Sequence, residues 1–379
     1  MRKPSIHNKA STSMFALLFA AGLLVGAILT VYITFQETTE LRDKVDALQS
    51  QMSSLSGVQN ATYQNITIYQ NSSALADIYA GVRESVVLVQ GTTSEGGVQG
   101  SGFVYEASTR MVVITNYHVV HDTTALSVTF SNGNGYSAEV LGTDPYVDLA
   151  VLSVDAPANE FKPVEAVSSS TLRVGEPVIA IGNPYGLVGS LTTGVVSALG
   201  RSLTEEDYAG GYAIANIIQT STPINPGNSG GPLLNAVGKV IGITTAIVSE
   251  SQGLGFAVPS NTILREISSL ITTGTYEGHS YLGVSGQDMN YNAAQEIGSS
   301  VTYGWRIAAV TTGGPSDGAI NVGDIIIALN DTPIRNNDDL ASYLEEKTLP
   351  GQSLILTVVR GSSTIDVSIV LGTRPPPPT

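Results

Sequence analysis

The chain of 379 residues is 42 % apolar, contains 40 glycines and carries a net charge of −15, which gives room for two or three β-rich globular domains. That acidity argues against nucleic acid as a partner, because a backbone-binding surface needs clustered Lys and Arg. The absence of cysteine excludes a thiol nucleophile, a cysteine–zinc cluster and a disulfide framework, and neither a metal nor a cofactor is expected.

Residues 1–13 carry Arg2, Lys3 and Lys9 and read as a short cytoplasmic N-terminus. Residues 14–35 hold no charge, which is about enough helix to cross a ~30 Å hydrocarbon core at ~1.5 Å per residue. The first charges beyond are Glu37 and Glu40, so the positive-inside bias places residues 36–379 outside the cytoplasm. A cleaved signal peptide has a shorter apolar core and small residues at its cleavage site. This segment ends Tyr32-Ile33-Thr34-Phe35-Gln36, so a retained single-pass anchor in the cell membrane is expected.

Residues 36–75 form a polar stalk. Leu41, Val45, Leu48, Met52 and Leu55 alternate four- and three-residue steps, the pattern of a short heptad seam or of a solvated amphipathic helix. Asn60-Ala61-Thr62, Asn65-Ile66-Thr67 and Asn71-Ser72-Ser73 match the glycosylation pattern, so Asn60, Asn65 and Asn71 are candidate acceptors on the outer side. From Ala76 the chain becomes short apolar runs between glycine turns: 85–89, 111–114, 149–154 and 178–181. These read as the strands of β-barrels.

Three segments inside this region carry chemistry. Thr115-Asn116-Tyr117-His118-Val119-Val120 supplies a histidine with apolar, strand-like neighbours, Asp144-Pro145-Tyr146-Val147-Asp148-Leu149 supplies two carboxylates, and Gly227-Asn228-Ser229-Gly230-Gly231 supplies a serine in a glycine-rich turn. The order His, Asp, Ser is that of chymotrypsin-type enzymes. A serine hydroxyl needs a base to become a nucleophile, so His118 would take its proton and a carboxylate would fix the imidazole tautomer. Backbone N–H groups of the turn formed by Gly227, Asn228 and Ser229 would hold the oxyanion. Both Asp148 and Asp144 stand near enough in sequence to serve as the carboxylate.

These segments resemble the HtrA (Deg) family of serine proteases. The likeness includes Gly100-Ser101-Gly102-Phe103-Val104, the His118 and Asp148 segments, Ile179-Ala180-Ile181-Gly182-Asn183-Pro184, Ile224-Asn225-Pro226 and Gly255-Phe256-Ala257-Val258-Pro259. It departs at Ser221-Thr222-Pro223, where the family would place an acidic residue followed by small ones. The resemblance implies a mainly β, two-barrel trypsin-like protease domain over residues 76–274, with Asp148 rather than Asp144 in the triad and Asp144 bracing the Gly142-Thr143 turn. It also implies a specificity pocket with Pro223 and Ile224 on one side and Thr244, Thr245 and Ala246 on the other, uncharged and suited to small or medium aliphatic side chains. Residues 202–212, rich in acid and glycine, read as an exposed flexible loop.

Leu264–Leu270 reads as the closing helix of that domain. The segments Tyr281-Leu282-Gly283-Val284, Gly313-Gly314-Pro315-Ser316, Val322–Asn330 and Leu354–Arg360 then resemble a PDZ domain over residues 279–374. Tyr281, Leu282, Gly283 and Val284 would bind the carboxylate of a C-terminal peptide that adds to the sheet edge beside a helix at Asp338–Lys347. Residues 375–379 form a proline-rich tail. The resemblance implies a homotrimeric, stress-related protein-quality-control endopeptidase acting on unfolded or damaged proteins or on a membrane-linked regulator. The alternative is a proteolytically idle chaperone or PDZ binding protein.

Overall fold

The computed structural model describes residues 72–108, 110–183, 189–205, 212–225, 227–245 and 254–376. The expected membrane segment, the heptad seam and the acceptors Asn60, Asn65 and Asn71 lie outside the described residues. Among the described residues, no helix is long and apolar enough to cross a membrane.

Helix α1 (Ser72–Val82) leads into β1 (Val86–Thr92), β2 (Gly97–Ala107), β3 (Arg110–Thr115), helix α2 (Tyr117–Val120), β4 (Ala125–Thr129), β5 (Gly135–Asp144) and β6 (Leu149–Val154). These strands close into a six-stranded barrel in the order β1-β2-β3-β6-β5-β4. A second closed barrel follows from β7 (Pro177–Gly182), β8 (Ser190–Glu205), β9 (Tyr212–Thr220), β10 (Pro232–Leu234), β11 (Val240–Thr245) and β12 (Gly255–Pro259), ordered β10-β11-β12-β9-β8-β7. Helix α3 (Ser260–Thr272) ends this region.

The apolar runs are continuous rather than alternating because both strand faces are buried. Successive strand side chains point to opposite faces. Thus Val87 and Val89 pack inside the first barrel with Val104, Val113 and Leu152, while Val86, Phe103 and Ile114 pack outward with Ile179, Ile181, Ile243 and Ile267. That shared apolar layer joins the barrels and α3. Gly142 and Thr143, expected in a turn, lie within β5 and pair with Val151 and Ala150. Likewise β8 continues to Glu205 and β9 begins at Tyr212, with Leu203 opposite Ile214. The expected loop at 202–212 is therefore strand at its ends, and residues 206–211 lie outside the described residues.

The second domain contains β13 (Ser280–Tyr281), β14 (Val284–Asp288), helix α4 (Tyr291–Ile297), β15 (Trp305–Val310), β16 (Ile325–Leu329), β17 (Thr332–Pro333), helix α5 (Asn337–Lys347), β18 (Ser353–Arg360), β19 (Ser363–Val370) and β20 (Gly372–Thr373). Its main sheet runs β14-β15-β16-β18-β19, which leaves β14 at an edge, and β13 pairs with β20. Trp305, Ile307, Ile326, Leu356 and Val358 form a separate core. Asn330 and Asp331, at φ 42° and 64°, make the left-handed two-residue turn that such short polar side chains tolerate. Helix α5 starts at Asn336, whose side chain accepts from Asp339 N, and docks on the β8–β9 hairpin. Asp338 accepts from Arg201 and from Ser202 N, Asn216 donates to Glu346, and Ser342 donates to Gly200 O.

Candidate active site

Asp148 sits between β5 and β6 at φ 53°, a left-handed conformation that aspartate adopts more readily than most residues. Its carbonyl accepts from Asn116 Nδ2 at 2.9 Å, which fastens this turn to the residue opening α2. Its carboxylate lies over that helical turn. Oδ1 accepts from His118 N at 3.0 Å, the two oxygens stand 3.0 and 2.9 Å from His118 Nδ1, and Oδ2 accepts from Thr245 Oγ1 at 2.9 Å. A carboxylate on Nδ1 keeps the proton there and leaves Nε2 its lone pair. The Asp148 side chain is 1 % exposed and that of His118 19 %, as suits a buried orienting acid and a base at a cleft.

The apolar neighbours of His118 suggested a strand, but Tyr117–Val120 form one helical turn, closed by His121 N donating to Tyr117 O. Val119 and Val120 are buried beneath it, so their apolar character reflects packing rather than strand pairing.

The Ser229 turn of the second barrel meets the first barrel through close backbone packing. Its carbonyl accepts from Ser101 N at 2.7 Å. A Cβ on Gly100 would meet Val119 at 2.6 Å and Ser229 O at 3.1 Å, and one on Gly230 would stand 2.0 Å from Ser101 O and 2.5 Å from Thr115 Oγ1. Only glycine lets the serine turn lie this close to the segment bearing His118.

The same turn is braced by hydrogen bonds on its carbonyls. Asn228 O accepts from Thr244 Oγ1 at 2.6 Å and from Gly231 N at 2.9 Å. In a trans peptide the N–H opposes the carbonyl, so the Ser229 N–H points away from those donors. Gly227 O accepts from Ser101 Oγ at 2.6 Å, and Gly227 takes φ 100°. Asn228 N donates to Asn225 O. Asn228 thus serves the turn through its carbonyl, since its own N–H is taken up by Asn225 O.

The side chains of Thr244 and Thr245 are buried and bonded to Asn228 O and to Asp148, so they brace the turn and the acid. Pro223 is exposed and its carbonyl accepts from Thr192, while Ile224 is half-buried against the second barrel's core. Ala246 lies outside the described residues. Sequence reasoning missed Ser101 and Thr245 as supports, because both act on residues more than ninety positions away.

In the second domain, Gly283 takes φ 75°, its carbonyl accepts from Thr311 N, and Leu282 O accepts from Ser316 Oγ. Tyr281, Leu282 and Val284 line a groove of about 180 Å³ closed by Trp305, Leu344 and Arg374. The groove lies between the open edge of β14 and α5.

Asp144, the other carboxylate near the triad segment, turns to a different histidine. Its Oδ1 accepts from Tyr146 N, while its Oδ2 stands 2.6 Å from His279 Nε2; His279 Nδ1 is 3.0 Å from Glu345 of α5. Arg265 pairs with both Glu266 and Glu345. Burial alone would lower the His279 pKa, but the hydrogen bonds and charges of Asp144 and Glu345 raise it to about 10. Burial and the charge of Asp144 push the Glu266 carboxyl well above its usual range. Asp144, Glu266 and His279 bring potential ligand atoms within 4.8 Å of one another. With both imidazole nitrogens facing carboxylates and Arg265 supplying positive charge, the group is read as an ion-pair network.

Residues 100–243 match the model of the trypsin-like peptidase domain and residues 280–371 that of the PDZ domain. A probable periplasmic serine endoprotease DegP-like of Brucella suis is 38 % identical over 281 residues, 73 % of this chain and 53 % of its own. Protease Do-like 1, chloroplastic, of Arabidopsis thaliana is 35 % identical over 73 % of this chain and 64 % of its own. The chain thus spans about half the length of the first of these relatives and less than two thirds of the second. The solved HtrA-type protease AlgW with tripeptide superposes with a TM-score of 0.64 at 30 % identity, over 80 % of this chain and 98 % of that one.

Proposed function

Because the chain belongs to the HtrA (Deg) family of serine proteases, with one trypsin-like and one PDZ domain, we propose that it is a serine endopeptidase in which Ser229 attacks the scissile carbonyl. His118 accepts the serine proton through Nε2 and returns it to the leaving amine. Asp148 holds the imidazolium, and the Gly227 and Ser229 N–H groups receive the oxyanion. The observation that carries this reading is the Asp148 carboxylate gripping both the backbone N and Nδ1 of His118, beside the braced turn of Ser229.

Its substrates are unfolded or damaged proteins or a membrane-linked regulator, with apolar side chains of modest size preferred at the cleft around Pro223 and Ile224. C-terminal peptides bind the groove at Tyr281–Val284 by adding to β14. Residues 14–35 anchor the chain, the stalk bears sugar at Asn60, Asn65 and Asn71, and the protease domains associate as a homotrimer outside the cytoplasm. The periplasmic names of relatives support that side of the membrane.

The full chain in detergent should degrade a reduced, carboxymethylated protein, and Ser229→Ala should not. Equal fragmentation by both would overturn the nucleophile assignment, and a folded wild type that only suppresses aggregation would favour a binding role.

A further inference from the structure

We propose that Asp144, Glu266 and His279 form a binding site for a divalent transition-metal cation, and that the ion-pair network around them is the metal-free form of that site. The three side chains come from different parts of the chain: Asp144 ends β5, Glu266 lies on α3, and His279 follows in the connection to the second domain. Each offers one ligand atom, and these atoms all lie within 4.8 Å of one another. The Asp144 and His279 side chains are 2 % and 3 % exposed, and that of Glu266 is fully buried.

An unanswered oxygen separates this cluster from an ordinary salt-bridge network. Oε1 of Glu266 pairs with Arg265, whereas Oε2 has no hydrogen-bond partner among the described residues. A buried carboxylate oxygen without a donor costs free energy that native interiors rarely tolerate. A cation held between Glu266, Asp144 and His279 supplies the missing partner.

The surroundings are those that a metal-bound histidine needs. Glu345 of α5 stands 3.0 Å from His279 Nδ1. A proton held there leaves the Nε2 lone pair for a metal, the arrangement by which a carboxylate orients a ligating imidazole. The other oxygens of the two acids are fixed as well: Tyr146 N donates to Asp144 Oδ1 at 2.9 Å, and Arg265 holds Glu266 Oε1. Charge also balances. Asp144, Glu266 and Glu345 bring three negative charges and Arg265 one positive charge, so a dication leaves the dry group neutral.

Without the metal, a proton shared by His279 Nε2 and Asp144 Oδ2, 2.6 Å apart, takes its place. Ligands at ~2.0–2.2 Å from a tetrahedral ion stand about 3.4 Å from each other, so metal entry opens that contact by about 0.8 Å. One imidazole with two carboxylates suits Zn²⁺ or Mn²⁺ better than Ca²⁺ or a thiolate-seeking ion. The absence of cysteine excludes a cysteine–zinc cluster but not this donor set. Because Glu345 stands behind the histidine, the bound ion fastens β5 and α3 to α5 of the second domain.

The test uses the full chain in detergent, without a histidine tag, stripped by a chelator and then dialysed against Zn²⁺. Zinc content, affinity by competition with a chromophoric chelator, melting temperature and zinc X-ray absorption are read, and none of these involves Ser229. One Zn²⁺ per chain should survive dialysis, raise the melting temperature and show imidazole in its absorption fine structure. Glu266→Gln, which keeps the side chain's shape, should fold and retain no zinc, and His279→Gln should retain none either. Glu345→Gln should keep the stoichiometry but weaken affinity by about 10- to 100-fold, as loss of a partner behind a ligand does. His118→Ala should bind zinc as the wild type does. Folded wild type that retains no zinc, or zinc that survives both Glu266→Gln and His279→Gln, would overturn the proposal. Zinc that His118→Ala removes would overturn it too, by placing the ion at the triad.

Discussion

At the scale of single residues, the site depends on a few short contacts that can be removed one at a time. Asp148→Asn keeps the shape but not the charge on His118 Nδ1, and should lower kcat by about 10⁴-fold, as loss of the correct tautomer does in related triads. Thr245→Val removes one donor from the same carboxylate. A hydrogen bond to a charged group contributes about 1.5–3 kcal/mol, so kcat should fall by about 10-fold or more, with KM little changed. Gly230→Ala puts a methyl 2.0 Å from Ser101 O at φ 85°, and should lower the melting temperature as well as abolish activity. His118, Asp148 and Ser229 were legible as candidates because each lies in its own short motif. Ser101 and Thr245 were not, since their roles exist only once the two barrels are packed together.

At the scale of elements, the junction of α3, α5 and the connection between the domains makes a pH-dependent prediction. His279 is raised from 6.5 to about 10, so its contribution to stability is fully present below pH 6.5 and is lost as pH rises toward 10. Glu345 is pulled from 4.5 down to about 2: burial opposes this, but His279 and Arg265 outweigh it. Its contribution is therefore present above pH 4.5 and lost as pH falls toward 2. Glu266, raised by burial and Asp144, weakens the fold as pH climbs from 4.5. The urea midpoint should accordingly be highest near pH 5 and decline toward pH 9, and His279→Gln should flatten the alkaline decline. An unchanged alkaline slope in that variant would contradict this assignment. Strands and the closing helix were readable from their apolar runs, whereas the helical turn at His118 and the long β8–β9 hairpin were not. Val119 is apolar because it is buried against Gly100, and Ser202 continues a strand because its N–H meets Asp338 of another domain.

At the scale of the whole molecule, domain order was readable because each domain has its own motifs and core, but the docking between domains was not. Asp144, His279 and Glu345 are far apart in sequence and carry no shared spacing. If residues 14–35 anchor the chain, alkaline carbonate should leave the expressed protein in the membrane pellet. External protease should reach the domains only from the extracytoplasmic side. Release by carbonate would instead indicate cleavage or peripheral attachment. The central claim, that Ser229 is an activated nucleophile served by His118 and Asp148, is tested most directly by fluorophosphonate labelling followed by peptide mass analysis. One adduct is expected, on Ser229, absent from Ser229→Ala and slowed in Asp148→Asn. Folded wild type that takes no label with or without an unfolded substrate, or takes it on another residue, would contradict it.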